Sequence, residues 1–496
     1  MRPASTAIVD GKRRINYATL ERMIDRVAAS LQRDGVMPKQ AMAICAATSA
    51  EYVAVFLGSL RAGVAVVPLA PSATPRQLID MLQDANVQRL FVDRAVAGEL
   101  EAAGVSLPGG LAVSLLNADG HQSLSSWLVP ESVHATPVQI GMDWPFNIIY
   151  SSGTTGTPKG IVQSHLMRWL QAQYAPLLGF GPSTVTLVAT PFYSNTTMTT
   201  VLPTLAFGGC LVLMAKFDAI AYLKLAQDEC VTHAMLVPVQ YQRLMAHEDF
   251  SQFDLKSFRA KFCTSSPLSA ALKADVVTRW PGILVEYYGM TEGGGTCMLL
   301  ANLYPTKLHT VGQPLPDHDI RIIDEAGFEM AAGQIGEVVG RSTTMMTCYH
   351  NQPGKTSDAE WLDANGNRFI RTGDVGRFDE DGFLILLDRR KDMVISGGFN
   401  IYPSDLEAVL DQHPSVANAA VVGVPSTEWG EMPVAFVVRH RGSNTSAEEI
   451  LSWANHRLGK TQRLKDLRFI DELPRNAIGK VLKRELRESW TANIPG

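Results

Sequence analysis

Apolar and polar positions along the first hundred residues alternate between two periods. In "YATLERMIDRVAASLQRDG" the apolar residues Leu20, Met23, Ile24, Val27 and Leu31 recur at helical spacing, and Gly35 supplies a stop. The short run "AMAIC" then reads as a buried strand, "SAEYVAVFLGSLRAG" as a helix ending at Gly63, and "VAVVPLA" as another strand. In "TPRQLIDMLQDANV" Thr74 is placed to cap a helix whose first residue is Pro75, and "QRLFVD" follows as a strand. Strands alternating with helices predict an α/β fold, a largely parallel, doubly wound sheet covered on both faces. The pattern resumes in "HAMLVP", "FRAKFCTS" and "ILVEYYG", each an apolar run leading into a polar loop. Ligands of open α/β sheets gather beyond such strand ends.

Beyond about residue 310 the texture changes to glycine-punctuated hairpins, "IRIIDEAGFEM", "GEVVGR" and "GRFDEDGFLILLDR", which predict a small antiparallel region. After the charge cluster "DRRKD" comes a compact α+β segment, with a helix in "SDLEAVLDQHP" and strands in "NAAVVGV" and "PVAFVV". The expected division is a large domain over 1–387, a hinge at 388–391 and a small domain over 392–496.

At 496 residues the chain is long enough for two or more domains, and 46% hydrophobic with 19% charged residues is a globular composition. The cysteines Cys45, Cys210, Cys230, Cys263, Cys297 and Cys348 are scattered without a C-x-x-C pair, which argues against a zinc site or disulfide framework and fits a reducing, cytoplasmic setting. No apolar run reaches bilayer length, so membrane insertion is not expected. A net charge of −5 gives no reason to expect nucleic acid. The carboxy-terminal stretch runs basic, through Arg457, Lys460, Arg463, Lys465, Arg468, Arg475, Lys480, Lys483, Arg484 and Arg487; it reads as a solvated helical face or as a surface meeting a polyphosphate.

Five clusters carry chemistry. "YSSGTTGTPKG", after the apolar run "FNII", combines glycines that let a backbone approach a ligand, hydroxyls and amides that donate to anionic oxygens, and Lys159. It is not a Walker A loop, because Pro158 stands where the lysine pattern needs glycine and Ile161 follows Gly160. "YYGMTEGGG" ends a strand with rings able to stack on a base, a threonine able to touch phosphate, and Glu292 able to hold Mg²⁺. In "RTGD", Asp374 is expected in a turn where it could accept a ribose diol. "DRRKDMVISGGFNIYPSDLE" offers Arg389 to a phosphate and a Gly397-Gly398 pair for close approach, and "PRNAIGK" ends in the isolated Lys480.

In this order and at these separations the clusters resemble the adenylate-forming superfamily of acyl-CoA synthetases, nonribosomal peptide adenylation domains and firefly-type luciferases. The resemblance covers almost the whole chain, from "INYATLERMIDRVAASL" through "AAVVGVP" and Gly430-Glu431 to "NAIGKVLKREL". It implies an AMP-forming ligase: a carboxylate and ATP give acyl-AMP and pyrophosphate, and the thiol of coenzyme A then displaces AMP. It further implies that Ser151, Ser152, Gly153, Thr154, Thr155, Gly156 and Lys159 embrace the β and γ phosphates, with Tyr288 on adenine beside Ser265 and Ser266. Thr291 would touch the α-phosphate, Glu292 would coordinate Mg²⁺, Asp374 would hold the ribose, and Arg389 would fix the nucleotide. Lys480 would bridge the acyl carboxylate and the α-phosphate, Lys391 would be the hinge, and Gly397, Gly398 and Phe399 would line the pantetheine tunnel after the domains alternate.

Three stretches depart from the family pattern. "TPFYSNTTM" has Tyr193 and Ser194 where an aromatic-histidine pair is frequent, "CTSSPL" replaces "SGGAPL", and Cys348-Tyr349 stands for Gly-Tyr. The acyl pocket is expected near Tyr193, Ser194, Val237, Pro238, Gly293, Gly294, Gly295 and Cys297, where three glycines suggest room for a ring or extended chain. With no basic residue placed for a second carboxylate, an apolar monocarboxylate is expected, an aryl acid slightly ahead of a medium or long fatty acid. A carrier-protein phosphopantetheine as acceptor is the alternative, and a non-catalytic nucleotide- or acyl-binding scaffold a further one. A homodimer is compatible with the sequence.

Overall fold

The computed structural model describes residues 2–492 apart from 105, 119, 152–158, 390, 397–398, 428, 460–461 and 477–478. The chain divides into two compact units, Met1–Asp319 with Gly340–Ile370, and Ile320–Val339 with Arg371–Gly496.

Among the described residues the first unit holds a nine-stranded and a seven-stranded sheet. The nine-stranded sheet runs, in order, Gln313–Pro314, Cys297–Leu300, Ile283–Tyr288, Ala260–Cys263, His233–Leu236, Val185–Val188, Cys210–Leu213, Thr6–Asp10 and Arg13–Asn16. Its six central strands are parallel, while antiparallel strands close both edges. The seven-stranded sheet has the same character: four parallel pairings link Ala65–Leu69, Ala41–Cys45, Val87–Val92, Ala112–Leu115 and Pro145–Ser151, and Lys159–Ser164 and Cys348–Tyr349 add an antiparallel edge. Strands such as "AMAIC" and "AVVPL" are buried at every position because both faces are covered, which is why they read as unbroken apolar runs.

Helices Tyr17–Arg33 and Ala50–Arg61 lie between the two sheets, sharing one core with Ile8 and Leu211 of the first and Ile44 and Val66 of the second. The expected stops hold: Gly35 and Gly63 follow these helices at φ +75° and +73°. Thr74 and Gln77 form a reciprocal capping box with Pro75 at the first turn. Outside, Trp280 and helices Ala219–Asp228, Pro238–Met245 and Ala270–Arg279 cover the larger sheet. Pro75–Asp84 and Arg94–Ala102 cover the smaller one.

In the second unit, "NAAVVGV" and "PVAFVV" become the long antiparallel pair Val416–Ser426 and Gly430–Arg439. Helices Pro403–Leu410 and Ala447–Asn455 pack on one face of this sheet, and Lys483–Ala492 on the other. The basic carboxy-terminal run is for the most part internally partnered. Lys483 pairs with Glu407 and Arg487 with Asp392, each at 2.9 Å, while Arg468 lies over Trp490 and Arg457 over Trp453.

Candidate active site

In the first unit, the strand Ile283–Tyr288 delivers the "GMTE" segment at its carboxyl end. Tyr287 and Tyr288 alternate faces: Tyr287 stacks on Phe262 at 6.1 Å, and half-buried Tyr288 stands opposite Cys297 across the antiparallel pair. The next two sites are held from several sides. Thr291 O accepts from Gln163 Nε2 at 2.7 Å, and Glu292 O accepts from Met346 N at 2.7 Å. The Glu292 carboxylate accepts the Tyr349 hydroxyl on Oε1 at 2.8 Å, and Lys159 Nζ lies 4.9 Å from the centre of the Tyr349 ring. Burial, together with the adjacent carboxylate, pushes the Tyr349 pKa well up, so its hydroxyl remains a donor.

Ser151 and Lys159 are register partners at the mouth of the glycine-rich loop. The loop's own candidates Ser152, Gly153, Thr154, Thr155 and Gly156 lie outside the described residues, as do Gly397, Gly398 and the side chain of Phe399. Ser265 takes φ +85°, a left-handed backbone that costs a residue with a side chain of order 1 kcal/mol, and its hydroxyl bonds Thr196 Oγ1 at 2.7 Å. Ser266 is half-buried beside it.

The expected acyl residues occupy defined positions. Tyr193 is half-buried and its hydroxyl is pushed up to about 12 by burial. Ser194 is the N-cap of the helix Asn195–Ala206, accepting from Thr196 N at 3.3 Å. Val237, buried, caps Pro238–Met245 through Gln240, whose amide ties Val237 N to Ala189 O. Cys297 is buried in its strand. The glycines have a different explanation from the one the sequence suggested. Gly293 and Gly294 sit at φ +76° and +84°, and a Cβ on Gly293 would stand 2.1 Å from Thr344 O. A Cβ on Gly294 would stand 2.9 Å from Gly340 O. Neighbouring backbone, rather than room for a substrate, requires glycine at both.

In the second unit Asp374 lies within the strand Arg368–Phe378, not in the turn expected for it, directly after Gly373 at φ +70°. It faces Arg389 across the antiparallel pair, with Nε 3.2 Å from Oδ1. Asn476 and Lys480 are tied by two bonds: Asn476 Oδ1 accepts Lys480 N and Asn476 N donates to Lys480 O, both at 2.9 Å. Burial foremost, then the positive charges of Arg389 and Lys391, push the Lys480 pKa down to about 8, against the pull of Asp374 and Asp392. Thus Asp374, Arg389, Lys391 and Lys480, spread over a hundred residues of sequence, share one electrostatic neighbourhood. Asp388, the first residue of the expected hinge, accepts from Arg389 N and from Ser404 N.

Tyr349 and Gln163 were not singled out as site residues from the sequence. Their partners are 57 and 128 positions away, so no local spacing signals them.

The chain matches the family model of AMP-binding enzymes over residues 1–350 and that of the AMP-binding enzyme C-terminal domain over 405–480. It is 32% identical to an indoleacetate–CoA ligase of Aromatoleum aromaticum, covering 98% of this chain and 96% of the relative. It is likewise 32% identical to a feruloyl-CoA synthase of an Amycolatopsis species, covering 99% and 97%. The ATP-bound structure of MatB from Rhodopseudomonas palustris superposes with a TM-score of 0.88 at 30% identity, covering 98% of this chain and 96% of that one. Matched over both its parts, the chain belongs to the AMP-binding family of adenylate-forming enzymes, and within it is an acid–thiol ligase of the acyl-CoA synthetase type.

Proposed function

We propose that this enzyme activates an apolar monocarboxylate, an aryl acid ahead of a medium- or long-chain fatty acid, and transfers it to coenzyme A. In the first half-reaction a carboxylate oxygen attacks the α-phosphorus of ATP; the bond to the β-phosphate oxygen breaks, and pyrophosphate leaves with its electron pair. In the second, the thiol sulfur, its proton lost, attacks the acyl carbon and AMP departs. Both the attacking acid and the phosphates are anions, so the first step needs fixed positive charge and donors at the α-phosphate.

The observation that carries this reading is the neighbourhood of Lys480. A lysine with its pKa near 8, beside Arg389 and the diol acceptor Asp374, is suited to stabilise charge that develops at the α-phosphate. Thr291 supplies a hydroxyl to the same phosphate, Ser151 and Lys159 frame the loop for the β and γ phosphates, and Tyr288 stacks on adenine beside Ser265 and Ser266. Glu292 would hold a Mg²⁺ ion through its carboxylate, and the ion would supply positive charge beside the phosphates. One carboxylate oxygen is engaged by Tyr349, and among the described residues no group of three or more His, Cys, Asp or Glu forms an all-protein metal cage.

The aryl preference is supported by the two relatives at 32% identity, which are named for indoleacetate and ferulate. Half-buried Tyr193 and buried Val237 and Cys297 are the pocket's candidate walls. The deciding experiment measures pyrophosphate release and thioester formation with ATP, Mg²⁺ and coenzyme A across indoleacetate, cinnamates, benzoates and C8–C16 fatty acids. Thioester from the aryl acids is expected. Thioester from fatty acids alone would reverse the substrate order, and pyrophosphate without thioester would move the acceptor to a carrier-protein thiol.

A further inference from the structure

Arg168 is a buried charge without an anionic partner among the described residues. It is 3% exposed, and among the described residues its hydrogen bonds go to side-chain amides. Nε and Nη2 donate to Asn147 Oδ1 at 3.3 and 3.2 Å, Nη1 to Gln171 Oε1 at 3.0 Å, and Nη2 also to Gln163 Oε1. Burial pulls its pKa down to about 9, still above neutrality, so the charge is present. A buried guanidinium with no carboxylate is costly compared with an apolar side chain of the same size, so stability alone does not account for it.

One of its acceptors points toward the site. Gln163 is fully buried, turns its amide oxygen to Arg168, and directs its NH₂ group to Thr291 O at 2.7 Å, with Asn195 Oδ1 at 3.3 Å. A cation on the oxygen side polarises the amide and strengthens donation from its nitrogen. Lys159 and Gln163 also lie on the same face of one strand, four residues apart, with Ile161 between them. One strand therefore presents both a group against the Tyr349 ring and a donor to Thr291.

We propose that Gln163, backed by the Arg168 charge, is a positioning residue that fixes Thr291, and with it Glu292, for the nucleotide phosphates. The inference rests on the reading of Thr291 and Glu292 as phosphate-facing groups. It is distinct from simple packing because the donor direction matters: Gln163→Glu keeps the shape and pairs Arg168 with a carboxylate, yet cannot donate to Thr291 O.

The test is ATP–pyrophosphate exchange with a saturating acid, alongside thermal unfolding. For Gln163→Glu the turnover of exchange should fall about 10–100-fold, with an unchanged KM for the acid and a cooperative unfolding transition retained. Gln163→Met, similar in length and lacking both polar groups, should show the same loss. Wild-type turnover in either folded variant, or a loss confined to the KM of the acid, overturns the positioning role. Absence of exchange in the wild-type enzyme would overturn the adenylation reading itself, a result visible before any variant is compared.

Discussion

Tyr349 donates its hydroxyl to Glu292 Oε1 at 2.8 Å while Lys159 lies against the same ring at 4.9 Å. The ring thereby orients a carboxylate and seats the lysine that ends the glycine-rich loop. Outer partners of metal-binding carboxylates commonly govern 10–100-fold in affinity or activity. Tyr349→Phe should raise the Mg²⁺ concentration for half-maximal pyrophosphate release about 10-fold, leaving the unfolding temperature within a few degrees. An unchanged Mg²⁺ requirement would separate Glu292 from the metal.

Lys480→Ala should slow pyrophosphate release by about 10²–10³-fold. Thioester formation from a supplied acyl adenylate should stay near the wild-type rate if, as proposed, its positive charge serves the first half-reaction. Rapid-quench assays of the two half-reactions distinguish this from a general loss of fold.

On the proposed role of Lys480 its protonated form is the useful one, and its pKa is pushed down to about 8 by burial and its basic neighbours. The kcat/KM of adenylation, which reports the free enzyme, should therefore fall as pH rises through about 8 rather than holding to the ordinary lysine range. Stability responds with the opposite sign. Between about 8 and the unfolded value near 10.5 the unfolded chain keeps a proton that the folded chain has lost, so this group makes the fold more stable as pH rises there. Lys480→Met should remove both slopes.

Lys391→Pro should preserve pyrophosphate release and abolish thioester formation, if backbone rotation at this residue separates the two half-reactions. Proline fixes φ near −65° and removes an N–H. Equal loss of both steps would remove Lys391 from that role.

Gly293→Ala places a methyl on a left-handed residue, at 2.1 Å from a carbonyl oxygen. Conformational strain and overpacking together should cost roughly 2–5 kcal/mol, read by urea unfolding. A neutral result would mean that the 344–345 backbone yields, returning space as the reason for the glycine.

Much of the fold was legible because its signals are local. Thr74-Pro75, the glycine stops and the unbroken runs "AMAIC" and "HAMLVP" each encode an element without reference to distant residues. What the sequence concealed depends on pairing across the chain. Asp374 reads as a turn residue from its Thr-Gly neighbours, yet its strand is continuous because Arg389 and Asp388 supply a partner. Ser194, a departure from the family pattern, is engaged as a helix cap, and Gly293 answers to a carbonyl fifty residues away. Tyr349 showed only as the unchanged neighbour of the departure at Cys348, because nothing near it in sequence announces Glu292.

The discontinuous make-up of the second unit bears on how this protein can be recombined with its relatives. Its segment Ile320–Val339 is inserted ahead of residues that belong to the first unit. There Glu337 pairs with Arg371, and Val338 O accepts the Thr372 hydroxyl at 2.8 Å. A chimaera joined once, near residue 371, inherits one side of each contact from one parent and the other side from its relative. Joining at three points, 319–320, 339–340 and 370–371, keeps each pair within a single lineage.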